Sequence, residues 1–313
     1  MLIVFLDSMT VGEVPNINKF EDFGILNLFP VTLKEEVVER TSNADIIITN
    51  KVVIDKKVMD QANRLKLICI AATGTNNVDL EYAKEKGIEV KNVSGYSTES
   101  VTQSTFSMLF YLMNKTRYYD DYVKSGEYTH SPIFTHMGPA PGELSGKQFG
   151  IIGLGNIGTS VAKVAESFGA KVLYFSTTGK NVSKHYTRMD LDDLLESSDV
   201  ISIHAPLTDV TYDLINYPKL KIMKPSAILI NTGRGGIVNE KDLADALDEE
   251  LIAGAALDVF EVEPMISENP LLRIRNKDRL LILPHIAWAS VESRTILIDM
   301  VYDNIKTFLD KVH

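Results

Sequence analysis

Arg234 in NTGRGG, Glu263 in ALDVFEVEP and His285 in LPHIAW are a cation, a carboxylate and an imidazole, and each follows a short aliphatic run in the second half of the chain. If those runs are strands of an open parallel sheet, the segments beyond their C-terminal ends converge on one crevice. There an arginine can hold a carboxylate or carbonyl oxygen, a histidine can give and take a proton near neutral pH, and a carboxylate can stabilise the imidazolium. Each residue also has a plainer reading: a histidine after proline bonds its own loop, an arginine between glycines makes a turn, and Glu-Pro ends a strand. Convergence of all three favours catalysis. Asp258, ahead of Glu263, leaves two readings open: contact with a bound ligand, or capping and bonding of backbone amides.

Upstream, KQFGIIGLGNIGTSVAKVAESFG places Gly153, Gly155 and Gly158 between a predicted strand and a predicted helix. The first glycine permits a tight turn. The second lets backbone amides, those of Asn156 and Ile157 among them, approach a pyrophosphate, and the third lets helix pack on strand. A packing turn or a nucleoside such as S-adenosylmethionine is the rival reading; the flanking strand and helix and a further strand at KVLYFS favour a dinucleotide. An acidic residue for the ribose 2′-hydroxyl is expected about 20 residues beyond the loop. Ser176 stands there instead, followed by Thr177, Thr178 and Lys180. Hydroxyls and an ammonium can bind a 2′-phosphate where a carboxylate would repel it, which points to NADP(H). The alternative is a polar turn with NAD(H) held through its pyrophosphate and nicotinamide, since no arginine lies immediately at the turn. His204 and Pro206 in ISIHAPLT, and Thr232 at the end of the next strand, are read as lining the cofactor site. Hydride reduction of a 2-keto acid needs a cation for the substrate, a proton donor for the developing alkoxide and a group tuning that donor. Arg234, His285 and Glu263 supply one of each. Trp288 packs under the last helix or lines the substrate cleft. No His, Cys, Asp and Glu spacing suggests a metal site.

Positioning these groups requires an α/β scaffold. The 313 residues are 45% hydrophobic and 24% charged, enough for two domains. A net charge of -10 argues against nucleic acid and acidic membranes as partners. Strands are predicted at 2–6, 45–49, 67–71 and 89–93, then at 149–153, 171–175, 200–204, 227–231, 254–257 and 280–283, separated by amphipathic stretches. Helices are predicted over VTLKEEVVERTSN and VDLEYAKEKG, over about 98–124 as one long buried helix, and over about 290–311. The expected architecture is two Rossmann-like or flavodoxin-like domains with parallel sheets. One is discontinuous, 1–97 plus 285–313, for substrate; the other, 98–284, holds the dinucleotide, with the active-site cleft between them. A single cysteine, Cys69, in an apolar run, together with no leader and no apolar stretch of about 20 residues, leads us to expect a cytoplasmic protein.

These segments resemble the D-isomer-specific 2-hydroxyacid dehydrogenase family over nearly the whole chain: GLGNIG, NTGRGG, the Asp258 to Glu263-Pro264 stretch and LPHIAW match its motifs. The resemblance implies that Arg234 holds the substrate, His285 is the general acid/base, Glu263 pairs with it and Asp258 faces the nicotinamide carboxamide. AATGTNNVD matches the family's substrate loop, so the backbone at Thr73 and Gly74 would receive the carboxylate. TGTNNVD, VSGYSTESVTQ and HIAWAS look closest to the hydroxypyruvate reductase or glycerate dehydrogenase branch, which implies reduction of hydroxypyruvate or glyoxylate to D-glycerate or glycolate. Ser176 departs from the family's acidic residue. A homodimer formed through the nucleotide domains is implied too, with Met108–Met113 and the proline-rich loop as interface or as core. D-lactate and 3-phosphoglycerate are the alternative substrates; a cofactor-sensing corepressor-like protein and a methyltransferase are the alternatives of other classes.

Overall fold

The structure is a computed structural model and describes residues 1–312. His313, the end of the discontinuous domain expected from sequence, lies outside the described residues. The chain divides into two units: Met1–Ser97 with the C-terminal segment from Ala289, and Thr98–Trp288. The second boundary falls four residues beyond the one read from sequence, so His285 to Trp288 belong with the second unit. Hydrogen bonds from that unit to the backbone of Ile286 and Ala287 are the physical reason.

In the first unit, β1 (Leu2–Phe5), β2 (Ile25–Leu28), β3 (Ile46–Thr49), β4 (Leu67–Ile70) and β5 (Glu89–Lys91) form a parallel sheet in the order β2-β1-β3-β4-β5. This is the flavodoxin-like order. β3 and β4 are buried along their whole length, which is why they read as continuous apolar runs rather than alternating ones. β2 was not expected: it is an edge strand whose Ile25 is 68% exposed, so it leaves little burial signal. The helices are α1 (Val37–Thr41), α2 (Lys56–Gln61) and α3 (Leu80–Glu85); α1 and α3 are shorter than their sequence patterns, and α2 is not among the predicted ones. Asp55 and Asp79 start α2 and α3 by accepting from the amides of Val58 and Tyr82, caps each worth about 1 kcal/mol.

The second unit begins with α4 (Thr98–Met113) and α5 (Thr116–Lys124), where sequence predicted one helix. The apolar, largely buried segment ends at Met113 and the following one buries nothing, so Lys115 turns the chain with a left-handed φ of 54°. β6 (Gln148–Ile152), α6 (Asn156–Ser167), β7 (Lys171–Phe175), β8 (Thr187–Arg188), α7 (Leu191–Ser197), β9 (Val200–Ile203), α8 (Tyr217–Ile222), β10 (Ile228–Asn231), α9 (Glu240–Asp248), β11 (Gly254–Leu257) and β12 (Leu280–Ile282) follow. Their parallel sheet runs β12-β11-β10-β9-β6-β7-β8, the doubly wound order plus an edge strand, with its switch point between β6 and β9. β8 is the seventh strand, too short and exposed to show in the sequence pattern. α10 (Val291–Val312) belongs to the first unit and packs on β4. Among the described residues no helix is long and apolar enough to cross a membrane.

Candidate active site

β10 and β11 pair in parallel, Asn231 beside Leu257, so the arginine loop after β10 and the acidic loop after β11 leave the sheet at the same edge. The two loops touch. A Cβ on Gly235 would stand 1.8 Å from the Phe260 carbonyl oxygen, so only glycine permits this approach. Asn231 shapes the first loop: its amide nitrogen donates to the Arg234 carbonyl (2.8 Å), and its amide oxygen accepts from Gly233 N–H (3.0 Å). The Arg234 side chain is exposed and, among the described residues, bonds only the Gly233 carbonyl, at 2.8 Å. Its guanidinium therefore has capacity for an anion.

The acidic loop holds the imidazole. Glu263 Oε1 accepts from Phe260 N–H (2.9 Å), and Oε2 lies 2.7 Å from His285 Nδ1. An ionised carboxylate only accepts, so Nδ1 carries the proton and Nε2 is left to exchange one. His285 has a left-handed φ of 57°, a conformation costing about 1–3 kcal/mol for a residue with a Cβ. Its loop is clamped from both sides. Asp258 Oδ1 and Oδ2 accept from Ile286 and Ala287 N–H, each at 2.8 Å. Ser100 and Ser104 of α4 donate to the Ala287 carbonyl at 2.7 and 3.1 Å.

Of the two readings of Asp258, the bonding of backbone amides is the one the structure displays. Asp258 is 1% exposed with both oxygens on amides, and so acts as the anchor of the His285 loop. Burial pushes its carboxyl above the ordinary range, opposed by those two amide bonds. His204, read from sequence as lining the cofactor site, is held by hydroxyls of the second unit. Its Nε2 lies 2.8 Å from Ser202 Oγ, and its Nδ1 lies 3.4 Å from Thr232 Oγ1, itself 3.5 Å from Thr105 Oγ1. Thr105 donates to Val101 O (2.8 Å), so Thr232 donates to Thr105 and His204 Nδ1 carries the proton that Thr232 accepts; burial keeps the ring neutral, which leaves Nε2 to accept from Ser202. The residue keeps an accessible edge, yet burial pushes its imidazole down to about 3.

The glycine loop fits a pyrophosphate. Gly153 has φ 94°, and a Cβ there would stand 2.9 Å from Ala205 N; one on Gly158 would stand 2.2 Å from Gly153 O. At Gly155, which caps α6, a Cβ would meet nothing within 4 Å, so the space over the helix N-terminus is open. Neither a capping side chain nor an acidic residue competes for the first-turn amides. Asn156 is exposed there, while the half-buried Ile157 side chain packs against the core of the second unit, leaving its amide as what it can offer. Ser176, at the end of β7, is buried and its Oγ has no hydrogen-bond partner, an orphaned hydroxyl where a ribose would bring oxygens. Thr177 is half-buried, and Lys180 is exposed. Sequence finds no arginine at this turn, but β8 delivers one: Arg188 Nη2 lies 3.7 Å from the Cβ position of Gly179. Pro206 is exposed and its carbonyl accepts from Thr211 Oγ1 (2.7 Å). Trp288 is half-buried. Thr73 and Gly74 lie in the first unit, where the Thr73 carbonyl accepts from Asn92 Nδ2 (2.8 Å).

Sequence reasoning missed Ser100, Ser104, Asn231 and Arg188. Asn231 heads the NTGRGG motif and could have been flagged, whereas the two serines sit more than 180 residues from Ala287. A parallel α/β sheet with a glycine turn at its switch point and a clamped Glu–His pair defines a dinucleotide-dependent oxidoreductase scaffold. Residues 106–287 match the family model described as D-isomer specific 2-hydroxyacid dehydrogenase, NAD binding domain. The chain is 39% identical to a putative 2-hydroxyacid dehydrogenase of Haemophilus influenzae, over 100% of this chain and 99% of that protein. It is 38% identical to a hydroxypyruvate reductase of Blautia hydrogenotrophica, over 89% and 86%. Among solved structures, an acyclic imino acid reductase in complex with NADPH and D-Arg superposes with a TM-score of 0.87, at 30% identity, over 99% of this chain and 98% of that one. The chain belongs to the D-isomer-specific 2-hydroxyacid dehydrogenase family.

Proposed function

We propose that this protein reduces hydroxypyruvate, and glyoxylate as the smaller analogue, to D-glycerate and glycolate. The observation that carries this is the 2.7 Å contact of His285 Nδ1 with Glu263 Oε2 on a loop clamped by Asp258, Ser100 and Ser104. A nicotinamide dinucleotide, NAD(H) or NADP(H), supplies the hydride when bound, with the pyrophosphate on the glycine loop and the α6 N-terminus. His285 Nε2 gives its proton to the developing alkoxide at C2, and ionised Glu263 stabilises the imidazolium until the proton is restored. In the oxidative direction the same atom must begin unprotonated, so lower pH favours reduction. Arg234 binds and orients the keto acid through its unpaired guanidinium. The backbone at Thr73 and Gly74 is assigned to the substrate carboxylate, which makes the first unit the substrate domain and the second the nucleotide domain. The name of the Blautia relative supports this substrate class, while D-lactate and 3-phosphoglycerate are the substrates it must be tested against.

The test follows absorbance at 340 nanometres with NADH or NADPH across hydroxypyruvate, glyoxylate, pyruvate and phosphohydroxypyruvate. The proposal expects the highest kcat/KM with hydroxypyruvate. A higher value with pyruvate or the phosphorylated acid reassigns the substrate, and dinucleotide binding without turnover of any of them refutes the enzymatic reading.

A further inference from the structure

We propose that Arg188 reads the 2′ position of the adenosine ribose and binds a 2′-phosphate there, so that this chain selects NADPH over NADH. The inference rests on the assignment of the glycine loop to a dinucleotide and goes beyond it in naming the residue that chooses between the two cofactors. In the doubly wound fold the strand next to the glycine loop, here β7, ends at the ribose, and a carboxylate in that place discriminates against a 2′-phosphate. Here the place is held by Ser176, and the turn beyond it closes through Gly179, whose amide donates to the Ser176 carbonyl at 3.3 Å.

β8 then returns beside β7 with Tyr174 opposite Arg188. That register carries the guanidinium forward over the turn, 3.7 Å from the Cβ position of Gly179. Arg188 is exposed and, among the described residues, makes no ion pair, so no carboxylate must be displaced for it to take an anion. Glu166, the acid that reaches the segment just before β8, is engaged by His185 Nε2 (2.8 Å) and Tyr186 Oη (3.4 Å). Ser176 Oγ, buried without a partner, adds a hydroxyl at the same turn. A guanidinium fork matches a phosphate in two parallel hydrogen bonds, which a lysine ammonium cannot do, so Arg188 rather than Lys180 carries the selectivity.

The test is calorimetric titration of the full chain with NADPH, NADH, adenosine 2′,5′-bisphosphate and ADP, repeated with Arg188→Gln and Lys180→Gln. The wild type should bind NADPH over NADH, and the bisphosphate over ADP, by about 10-fold or more. Arg188→Gln should bring both ratios close to one while leaving NADH affinity within about 3-fold, and Lys180→Gln should largely keep them. The assignment is overturned if the wild type shows no preference, if Arg188→Gln keeps it, or if Lys180→Gln alone removes it. Reduction of 2-keto acids with NADH but no 2′ preference sinks the Arg188 assignment alone. A 2′ preference lost in Arg188→Gln, in a chain that reduces no 2-keto acid, sinks the substrate reading alone.

Discussion

His285 adopts a backbone conformation that a side chain resists, and the residues around it are arranged to keep it there. Asp258 is the centre of that arrangement, because one buried carboxylate accepts both amides that follow the histidine. Asp258→Asn keeps the shape but turns one acceptor into a donor facing an N–H. We expect kcat to fall about 10-fold or more with a smaller change in KM, and stability to fall by about 1–3 kcal/mol, the cost of an unsatisfied buried group. Steady-state kinetics with a denaturant titration checks this, and unchanged kcat would remove Asp258 from the positioning role. At this scale the sequence was most informative where a residue type and its chemistry coincide in one short string. Glu263 and His285 are such cases, because the fold brings them within 2.7 Å of each other. The anchoring by Asp258 was not legible, because a carboxylate after a strand serves a ligand or two amides equally well, and the amide bonds appear only in the fold.

The elements are joined through polar series that no local pattern announces. Ser202 lies in β9, Thr232 follows β10 and Thr105 lies on α4, and neutral His204 links them. With a folded value of about 3 against about 6.5 in the unfolded chain, His204 is protonated first in the unfolded state. Its contribution is therefore fully favourable to the folded state above about pH 6.5 and is lost as pH falls towards 3. By pH 5 that loss amounts to at most about 2 kcal/mol. His204→Gln cannot titrate, so its urea midpoint should drop less between pH 7 and pH 5 than that of the wild type; equal drops would show that His204 does not govern the acid limb. Core strands were legible because buried parallel strands are uninterrupted apolar runs. Edge strands β2 and β8 were not, since their side chains face solvent and the pairing that defines them lies in another part of the chain.

Taken as a whole, the chain carries two parallel sheets of five and seven strands, and the Glu263–His285 pair with its clamps lies within one unit. The second unit also presents Ile133, Phe134 and Met137 on the proline-rich loop, with Phe134 91% exposed. We expect a second copy of the chain to cover them, giving a dimer by sedimentation equilibrium that Phe134→Asp weakens; a monomer at micromolar concentration would refute this. The central claim concerns the proton. Turnover of hydroxypyruvate by His285→Ala, measured beside the affinity of the same variant for the reduced dinucleotide, tests it most directly. The account predicts a kcat lower by about 10²–10⁴-fold with dinucleotide affinity retained, and a folded, cofactor-binding variant that turns over at the wild-type rate would contradict it.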